Sequence, residues 1–480
     1  MKCVACKMCR GAEEEPERLR KRMTMYIHDT IAAICTPLGE GGIGVIRISG
    51  DQARQIGATI FSRKPDGGFK SRRFYYGSII DPVSGEELDE ALVVLMKAPQ
   101  SYTCEDVLEI QCHGGYLVVQ RLLSLVLRKG ARLAEPGEFT RRAFLNGRID
   151  LVQAEAVIDV IRGKTDASLA LAQKQRAGYL SRQIAAIREG ILHALVLVEA
   201  YIDFPDEEIG QRESGEIEGG IAAAQQRTTE LLAGFSEGRA LAEGVSVVIV
   251  GKPNVGKSSL LNTLLREKRA IVTSIPGTTR DVIEEVVNIR GLPVRMLDTA
   301  GICETTDPIE QEGVRLALEK IPQADLLLFL IDGSRPLDSD DLLIEKELEG
   351  RKFLLVLNKS DLPEAVELPD TLAHYQALRI STLTGTGIEI LHHTIHSYFL
   401  HGRAMDSREF VVLSNIRQRD ALERCGVALR RYSANATTGF NLELIAVDLR
   451  EALRAVGEVT GETTPDEVLD LIFQRFCIGK

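Results

Sequence analysis

Leu180, Ile184, Ile187, Ile191, Leu195, Val198 and Ile202 recur at spacings of three and four, which places them on one face of a helix. "DFPDEE" ends that run, because Pro205 disfavours helix for Phe204. An acidic, glycine-containing stretch then leads into a second helical run, "IAAAQQRTTELLAGFSEGRALAEG". Before these helices the pattern is mixed. "TIAAIC", "IGVIRISG", "EALVVLMKA" and "DVLEIQCHG" read as short strands. "GGYLVVQRLLSLVLRKG" reads as a helix with Leu117, Leu122 and Val126 on its apolar side and Gly130 as its stop. After Gly244 the pattern switches to "VSVVIV", "PVRMLD", "ADLLLFLID" and "KFLLVLN". Short apolar runs separated by helical stretches are the mark of a parallel sheet covered on both faces. Beyond about His401 helix returns and continues to the end. The chain therefore reads as multidomain: an N-terminal extension over 1–25, an α+β domain over 26–144 and an all-α domain beginning at 145–242. An α/β P-loop domain over 243–401 is inserted before the second helical part at 402–480. The helices flanking the insertion are expected to pack together, since termini of compact domains usually lie close.

Composition changes this picture little. At 480 residues, about three domains are expected, and 44% hydrophobic with 26% charged residues is an ordinary globular balance. No apolar run is long enough for a transmembrane helix. The start, "MKCVACKMCRGAEEEPERLRKRM", lacks the apolar core of a secretory signal. A cytoplasmic location and no membrane association are therefore expected. Cys3, Cys6 and Cys9 lack a convincing fourth metal ligand, so the extension reads as a disordered tail, with Met23 or Met25 an alternative start. The net charge of −11 argues against a coat of positive charge but leaves room for a local basic patch.

The chemistry is densest in the inserted domain. "GKPNVGKS", Gly251 to Ser258, fits the phosphate-binding pattern G-x-x-x-x-G-K-S and lies between a strand and a helix. In that loop Asn254, Val255, Gly256, Lys257, Ser258 and Ser259 face phosphate. Lys257 reaches the β- and γ-phosphates, and Ser258 ligates Mg²⁺. "TSIPGTT" follows: Thr273, Ser274, Ile275, Pro276, Gly277, Thr278 and Thr279 form a switch in which Thr279 offers a hydroxyl to Mg²⁺. "DTAG", Asp298, Thr299, Ala300 and Gly301, supplies a second contact to Mg²⁺ and the γ-phosphate. "NKSD" reads the base. Asp361 accepts from the guanine ring N–H and exocyclic amine, which adenine cannot reciprocate. Asn358 bonds the loop and the purine edge, and the Lys359 stem lies along the base. Ser381, Thr382 and Leu383 complete the base side. GTP follows from the order of these pieces. The position after Gly301, where many GTPases carry a water-orienting glutamine, is Ile302, which has no polar atom. Nor is any arginine in these loops an obvious finger. Asn254, with the carbonyls of Thr273 and Ile275, suits a monovalent cation in its place.

From Tyr26 to Lys480 the chain resembles the tRNA uridine-modifying GTPase family MnmE, also called TrmE. The specific marks are "GGIGVIRISG", "EDVLEIQCHGG", "EPGEFTRRAFLNGRIDLVQAEA", "AYIDFPDEE", the nucleotide loops and the terminal "FCIGK". The resemblance implies that the α+β domain binds a tetrahydrofolate derivative, 5-formyl or 5,10-methylene, which supplies a one-carbon unit. The contacts fall on Arg47, Glu109, Arg148 and Lys480, with arginine at 148 where relatives often have lysine. The resemblance also implies work with the flavoprotein MnmG, which carries FAD, to add a (carboxymethyl)aminomethyl group at C5 of the wobble uridine of certain tRNAs. K⁺ at Asn254, Thr273, Ile275 and Thr278, a homodimer whose GTPase domains pair on GTP and K⁺, and Glu310 as the catalytic water-positioning residue come from the same source. Thr464-Pro465-Asp466-Glu467 reads as a capping box with proline at the first helical position. That leaves Cys477 projecting beyond the last helix beside a cation, where a reactive thiol is possible. A ribosome-assembly or regulatory GTPase without chemistry of its own is the alternative, because the nucleotide loops serve both.

Overall fold

The computed structural model describes residues 29–63, 68–204, 211–267, 285–297, 324–400, 412–437 and 442–480. Backbone contacts divide the chain into two compact units. One holds the residues up to Glu155 together with Thr464–Lys480, and the other holds most of the remainder.

The first unit is built on a six-stranded sheet. Its strands are β1 (Ile31–Ile34), β2 (Gly41–Ser49), β3 (Phe74–Ile80), β4 (Glu87–Met96), β5 (Val107–Gly114) and β6 (Arg132–Leu133). They run in the order β3-β4-β5-β2-β1-β6, antiparallel except for the β1–β6 pair. Alternation sorts the side chains. Ile46, Ile48, Leu108 and Ile110 go into a core with Ile56, Leu122 and Val126 from the helices Ala53–Ile60 and Tyr116–Arg128. Ile31 and Ala33 pack with Phe139 and Ala134 in a separate cluster. Arg47 and Glu109 are directly paired across β2 and β5. Leu117, expected on the buried side of its helix, is 67% exposed; Val119 and Leu123 fill the core instead.

The C-terminal segment is part of this unit. Its helix, Asp466–Phe473, begins after Pro465, which stands at the N-cap rather than at the first helical position expected for it. The tail does not project either. Phe139 N donates to the Lys480 carbonyl at 3.2 Å and Gly137 N to that of Cys477 at 3.4 Å, while Cys35 Sγ donates to the Gly479 carbonyl at 3.2 Å. Gly479 has φ 95, and a Cβ there would lie 2.4 Å from the Ile34 carbonyl, so only glycine fits this approach.

In the second unit, β7 (Val245–Val250), β8 (Glu285–Ile289), β9 (Leu292–Met296), β10 (Leu326–Asp332), β11 (Phe353–Asn358) and β12 (Leu378–Arg379) form a sheet in the order β12-β11-β10-β7-β9-β8. All pairs are parallel except the β8–β9 hairpin. Val247 and Leu328 face one core and Val248 and Phe329 the other, so the strands read as continuous apolar runs because both faces are covered. Four long helices lie in the same unit: Tyr179–Asp203, Gln211–Ala233, Ile416–Thr437 and Leu442–Thr460. Tyr179–Asp203 packs on Gln211–Ala233 and on Leu442–Thr460, and Ile416–Thr437 closes the group. Helices before and after the nucleotide fold thus pack together. Six of the seven apolar residues expected to face inward on Tyr179–Asp203 are buried, and Ile202 is half-buried.

Candidate functional site

The phosphate loop lies between β7 and the helix Lys257–Glu267. Asn254 has φ 62 and Gly256 φ 102, left-handed conformations that turn backbone N–H groups into a phosphate cradle. A Cβ at Gly256 would lie 2.2 Å from Asn358 Nδ2. The Asn254, Ser258 and Ser259 side chains are exposed, while Val255 is buried beneath the loop. Lys257 is buried and donates to the carbonyls of Gly251 at 2.8 Å and Lys252 at 2.7 Å. Burial pushes its ammonium down to about 8.

The base-side loops are joined to this cradle. Asn358, at the end of β11, is buried; its Nδ2 donates to the Val255 carbonyl at 2.7 Å and its Oδ1 accepts from Thr382 N at 3.1 Å. Lys359, at φ 64, donates through Nζ to Asp332 Oδ2 at 2.7 Å. Burial works to raise the Asp332 pKa, but the bonds from Lys359 and Ser334 hold it below the ordinary carboxylate range. Ser381 Oγ donates to Asp361 Oδ1 at 2.5 Å, leaving Oδ2 without a partner among the described residues. Leu383 is 84% exposed. Lys257, Asn358, Asp361, Ser381 and Thr382 therefore meet at the carboxyl ends of β7 and β11 and the loop after β12, where open α/β sheets bind ligands. Thr273, Ser274, Ile275, Pro276, Gly277, Thr278, Thr279, Asp298, Thr299, Ala300, Gly301, Ile302 and Glu310 lie outside the described residues, as do Cys3, Cys6 and Cys9.

In the first unit Arg47 Nε and Nη2 both reach Glu109 Oε1 at 2.8 Å. Burial opposes the Arg47 charge, but Cys35 and Glu109 outweigh it, and its pKa stands above its ordinary value. The Arg47 guanidinium lies 5.6 Å from the Tyr102 ring and that of Arg148 4.8 Å, both within cation–π reach. Arg148 Nη1 also donates to the Tyr102 carbonyl at 2.7 Å. Glu109, Arg148 and Tyr102 line a cleft of about 650 Å³ together with Arg72, Phe74 and Cys104. Of the four expected residues, Arg47, Glu109 and Arg148 are thus brought together around Tyr102, whereas Lys480 is tied to them only through its charge acting on Cys35, as that of Arg47 does. Cys477 is exposed. Sequence reasoning missed Tyr102, Phe74 and Cys104. The one available signal was "SYTCED", a polar loop carrying an aromatic between two strands; that Cys104 has φ 62 is visible only in the backbone.

The family profile described as "MnmE helical domain" matches residues 151–477, and "GTP-binding protein TrmE N-terminus" matches 30–148. The chain is 62% identical over 456 residues to the tRNA modification GTPase MnmE of Geobacter sulfurreducens, covering 95% of this chain and 100% of the relative. It is 49% identical to the protein of the same name from Chloroflexus aurantiacus, again over 95% and 100%. Among solved structures, a variant of Aquifex aeolicus Era bound to GDP and aluminium fluoride is 29% identical, covering 38% of this chain and 66% of that one at a TM-score of 0.25. The G domain of the T. maritima FeoB iron transporter is 28% identical, covering 32% and 98% at 0.25. These superpositions carry no weight beside the strand order itself. With both family profiles matched and relatives aligned along their whole length, the chain belongs to the MnmE family of tRNA modification GTPases.

Proposed function

We propose that this chain hydrolyses GTP in a K⁺-dependent manner and, with the flavoprotein MnmG and its FAD, installs a (carboxymethyl)aminomethyl group at C5 of the wobble uridine of certain tRNAs. The observation that carries the reading is a formed guanine pocket, Asn358 and Asp361 beside the Lys257 loop, in a chain whose relatives bear the tRNA-modification name. Lys257 offers its ammonium to the phosphates. Ser258 and Thr279 would hold Mg²⁺, which neutralises charge developing between the phosphates. The exposed hydroxyl of Ser258 at the helix start suits that task. Asn254, Thr273, Ile275 and Thr278 would hold K⁺; the exposed amide of Asn254 at φ 62 is compatible with it.

The cleft of the first unit fits a tetrahydrofolate derivative. Arg148 and Glu109 line the cleft, with the Tyr102 and Phe74 rings, and Arg47 is bonded to Glu109 beside it. Arg47, Arg148 and Lys480 would supply cations for the folate carboxylates, and Glu109 an acceptor for pterin N–H groups. The folate supplies the one-carbon unit; Arg47 and Glu109 orient it. A homodimer in the cytoplasm, with GTPase domains pairing on GTP and K⁺, completes the reading, and no described helix is long and apolar enough to cross a membrane. The test is mass analysis of wobble uridines in cells lacking the protein. The modification should vanish, return with the wild-type chain, and stay absent with Lys257→Ala. Unaltered uridines in the deletion strain would refute the function.

A further inference from the structure

The second unit carries a cleft of about 960 Å³ away from the nucleotide loops. Gly244, Val245, Asp325, Lys352 and Phe353 on its wall stand at the amino ends of β7, β10 and β11. The phosphate loop begins at the other end of β7, a six-residue strand, roughly 20 Å away at about 3.3 Å per residue. The cleft walls are aromatic and basic together. Phe353 and Tyr375 lie with ring centroids 4.4 Å apart, tilted by 31°, and Tyr398 and Phe399 are 5.0 Å apart, near edge-on. All four rings are half-buried. Tyr375 is also flanked by His374, with centroids 4.1 Å apart, and Phe353 meets Phe329 edge-on at 6.1 Å. Those two rings are engaged with neighbours, whereas Tyr398 and Phe399 line the cleft with partly exposed rings.

The charges divide in a telling way. Arg239 lies within reach of Asp325 at 3.6 Å and Glu243 at 3.4 Å, and Asp325 Oδ2 also accepts from Ser246 N at 2.8 Å. That carboxylate is engaged. Arg351 and Lys352 are exposed, and neither forms an ion pair among the described residues. In a protein of net charge −11, two cations without ion pairs among the described residues, beside partly exposed rings, are a local exception to the prevailing sign.

Resting on the tRNA-modification reading, we infer that this cleft binds an unpaired stretch of the RNA substrate, with bases against the Tyr398 and Phe399 rings and phosphates at Arg351 and Lys352. Single-stranded RNA is held in this way, by aromatic faces that accept any base and cations that follow the backbone. The volume lies in the range of roughly 300–1,000 Å³ that suits a ligand of nucleotide size. An apolar peptide would leave both cations unanswered, so RNA is the better occupant.

The test is fluorescence anisotropy of a labelled, unmodified tRNA transcript with the full-length protein at several salt concentrations. The Arg351→Glu, Lys352→Glu double variant should bind about tenfold more weakly, and its log–log salt slope should fall by roughly 1–2, as expected for two lost phosphate contacts. The Arg351→Lys, Lys352→Arg variant should bind as wild type does. GTP hydrolysis and the thermal midpoint should be unchanged in both. Tyr398→Leu should weaken binding with little change in slope. Wild-type affinity and slope in the charge-reversed protein would overturn the inference. So would lost binding to the flavoprotein with tRNA binding intact, which would mark a protein-docking face. Failure of the tRNA-modification reading is distinguishable: the uridines of a deletion strain would be normal whatever these variants do.

Discussion

Ser381 Oγ holds one oxygen of Asp361 at 2.5 Å, so the carboxylate is aimed before any base arrives. Asp361→Asn exchanges an acceptor for a donor opposite the guanine ring N–H. The variant should lose GTP affinity and favour xanthosine triphosphate, with each lost charged bond costing roughly 1.5–3 kcal/mol. A competition assay between the two nucleotides reads the outcome directly, and an unchanged GTP preference would reject the assignment. This residue was legible from "NKSD" because guanine recognition needs that side chain at that spacing. The bond from Asn358 Nδ2 to the Val255 carbonyl was legible only in outline, since it joins residues 103 positions apart. The Tyr102 ring between the reach of Arg47 and Arg148 was not legible at all, because no local pattern marks which aromatic two distant cations will approach.

Strands with long apolar runs, β7, β10 and β11, stand where their pattern put them. Four others did not announce themselves: β3, "FYYGSII", has a largely half-exposed burial pattern, β8 is the five-residue "EVVNI", and β6 and β12 have two residues each. The helix Glu138–Leu145 was equally obscure, and its reason for forming is electrostatic as much as apolar. Glu138 is buried and meets Arg132 at 2.7 Å, Arg142 at 2.9 Å and the backbone N–H of Glu135 at 2.8 Å. Arg142, also buried, adds Asp29 at 2.6 Å and Glu105 at 3.2 Å. Burial works to raise the Glu138 pKa, but Arg132, the Glu135 N–H and Arg142 together hold it below the usual value. Removing the carboxylate leaves the buried Arg142 short of charge, so Glu138→Gln should destabilise the first unit by about 3 kcal/mol. The sign with pH follows from the depressed folded value. The stabilisation is complete above the unfolded glutamate pKa of about 4.3 and is lost as pH falls through the folded one. Urea unfolding of both proteins between neutral and acid pH should therefore show a gap that closes below the ordinary carboxylate range. A gap of constant size would mean that the Glu138 charge is not its source.

The two proposed sites lie in different units, so variants should separate them. Arg47→Ala or Glu109→Ala removes half of a pair held at 2.8 Å, so affinity for 5-formyl-tetrahydrofolate, read by calorimetry, should fall while GTP hydrolysis is untouched. Wild-type folate affinity in both variants would reject the site. The hydrolytic step itself remains to be accounted for. Ile302 cannot orient water, and no arginine in the sequence of the switch loops is an obvious finger. When a finger supplies the missing charge, it is worth roughly 10³–10⁵ in rate, so something of comparable effect has to stand in for it. A monovalent cation beside the phosphates meets the requirement, and Asn254 is suited to it: exposed, on the phosphate loop, at a left-handed φ of 62. Glu310, to which the family resemblance assigns the water, is then expected to position the nucleophile through a second water. GTP turnover should be strong in K⁺ and weak in Na⁺, with Asn254→Ala abolishing the difference. Glu310→Ala should bind GTP normally and hydrolyse it slowly, whereas Ile302→Ala should matter little, because a side chain without a polar atom contributes none of the positioning. Steady-state phosphate release in matched salts measures all four proteins, and equal rates in K⁺ and Na⁺, or a fully active Glu310 variant, would overturn the mechanism.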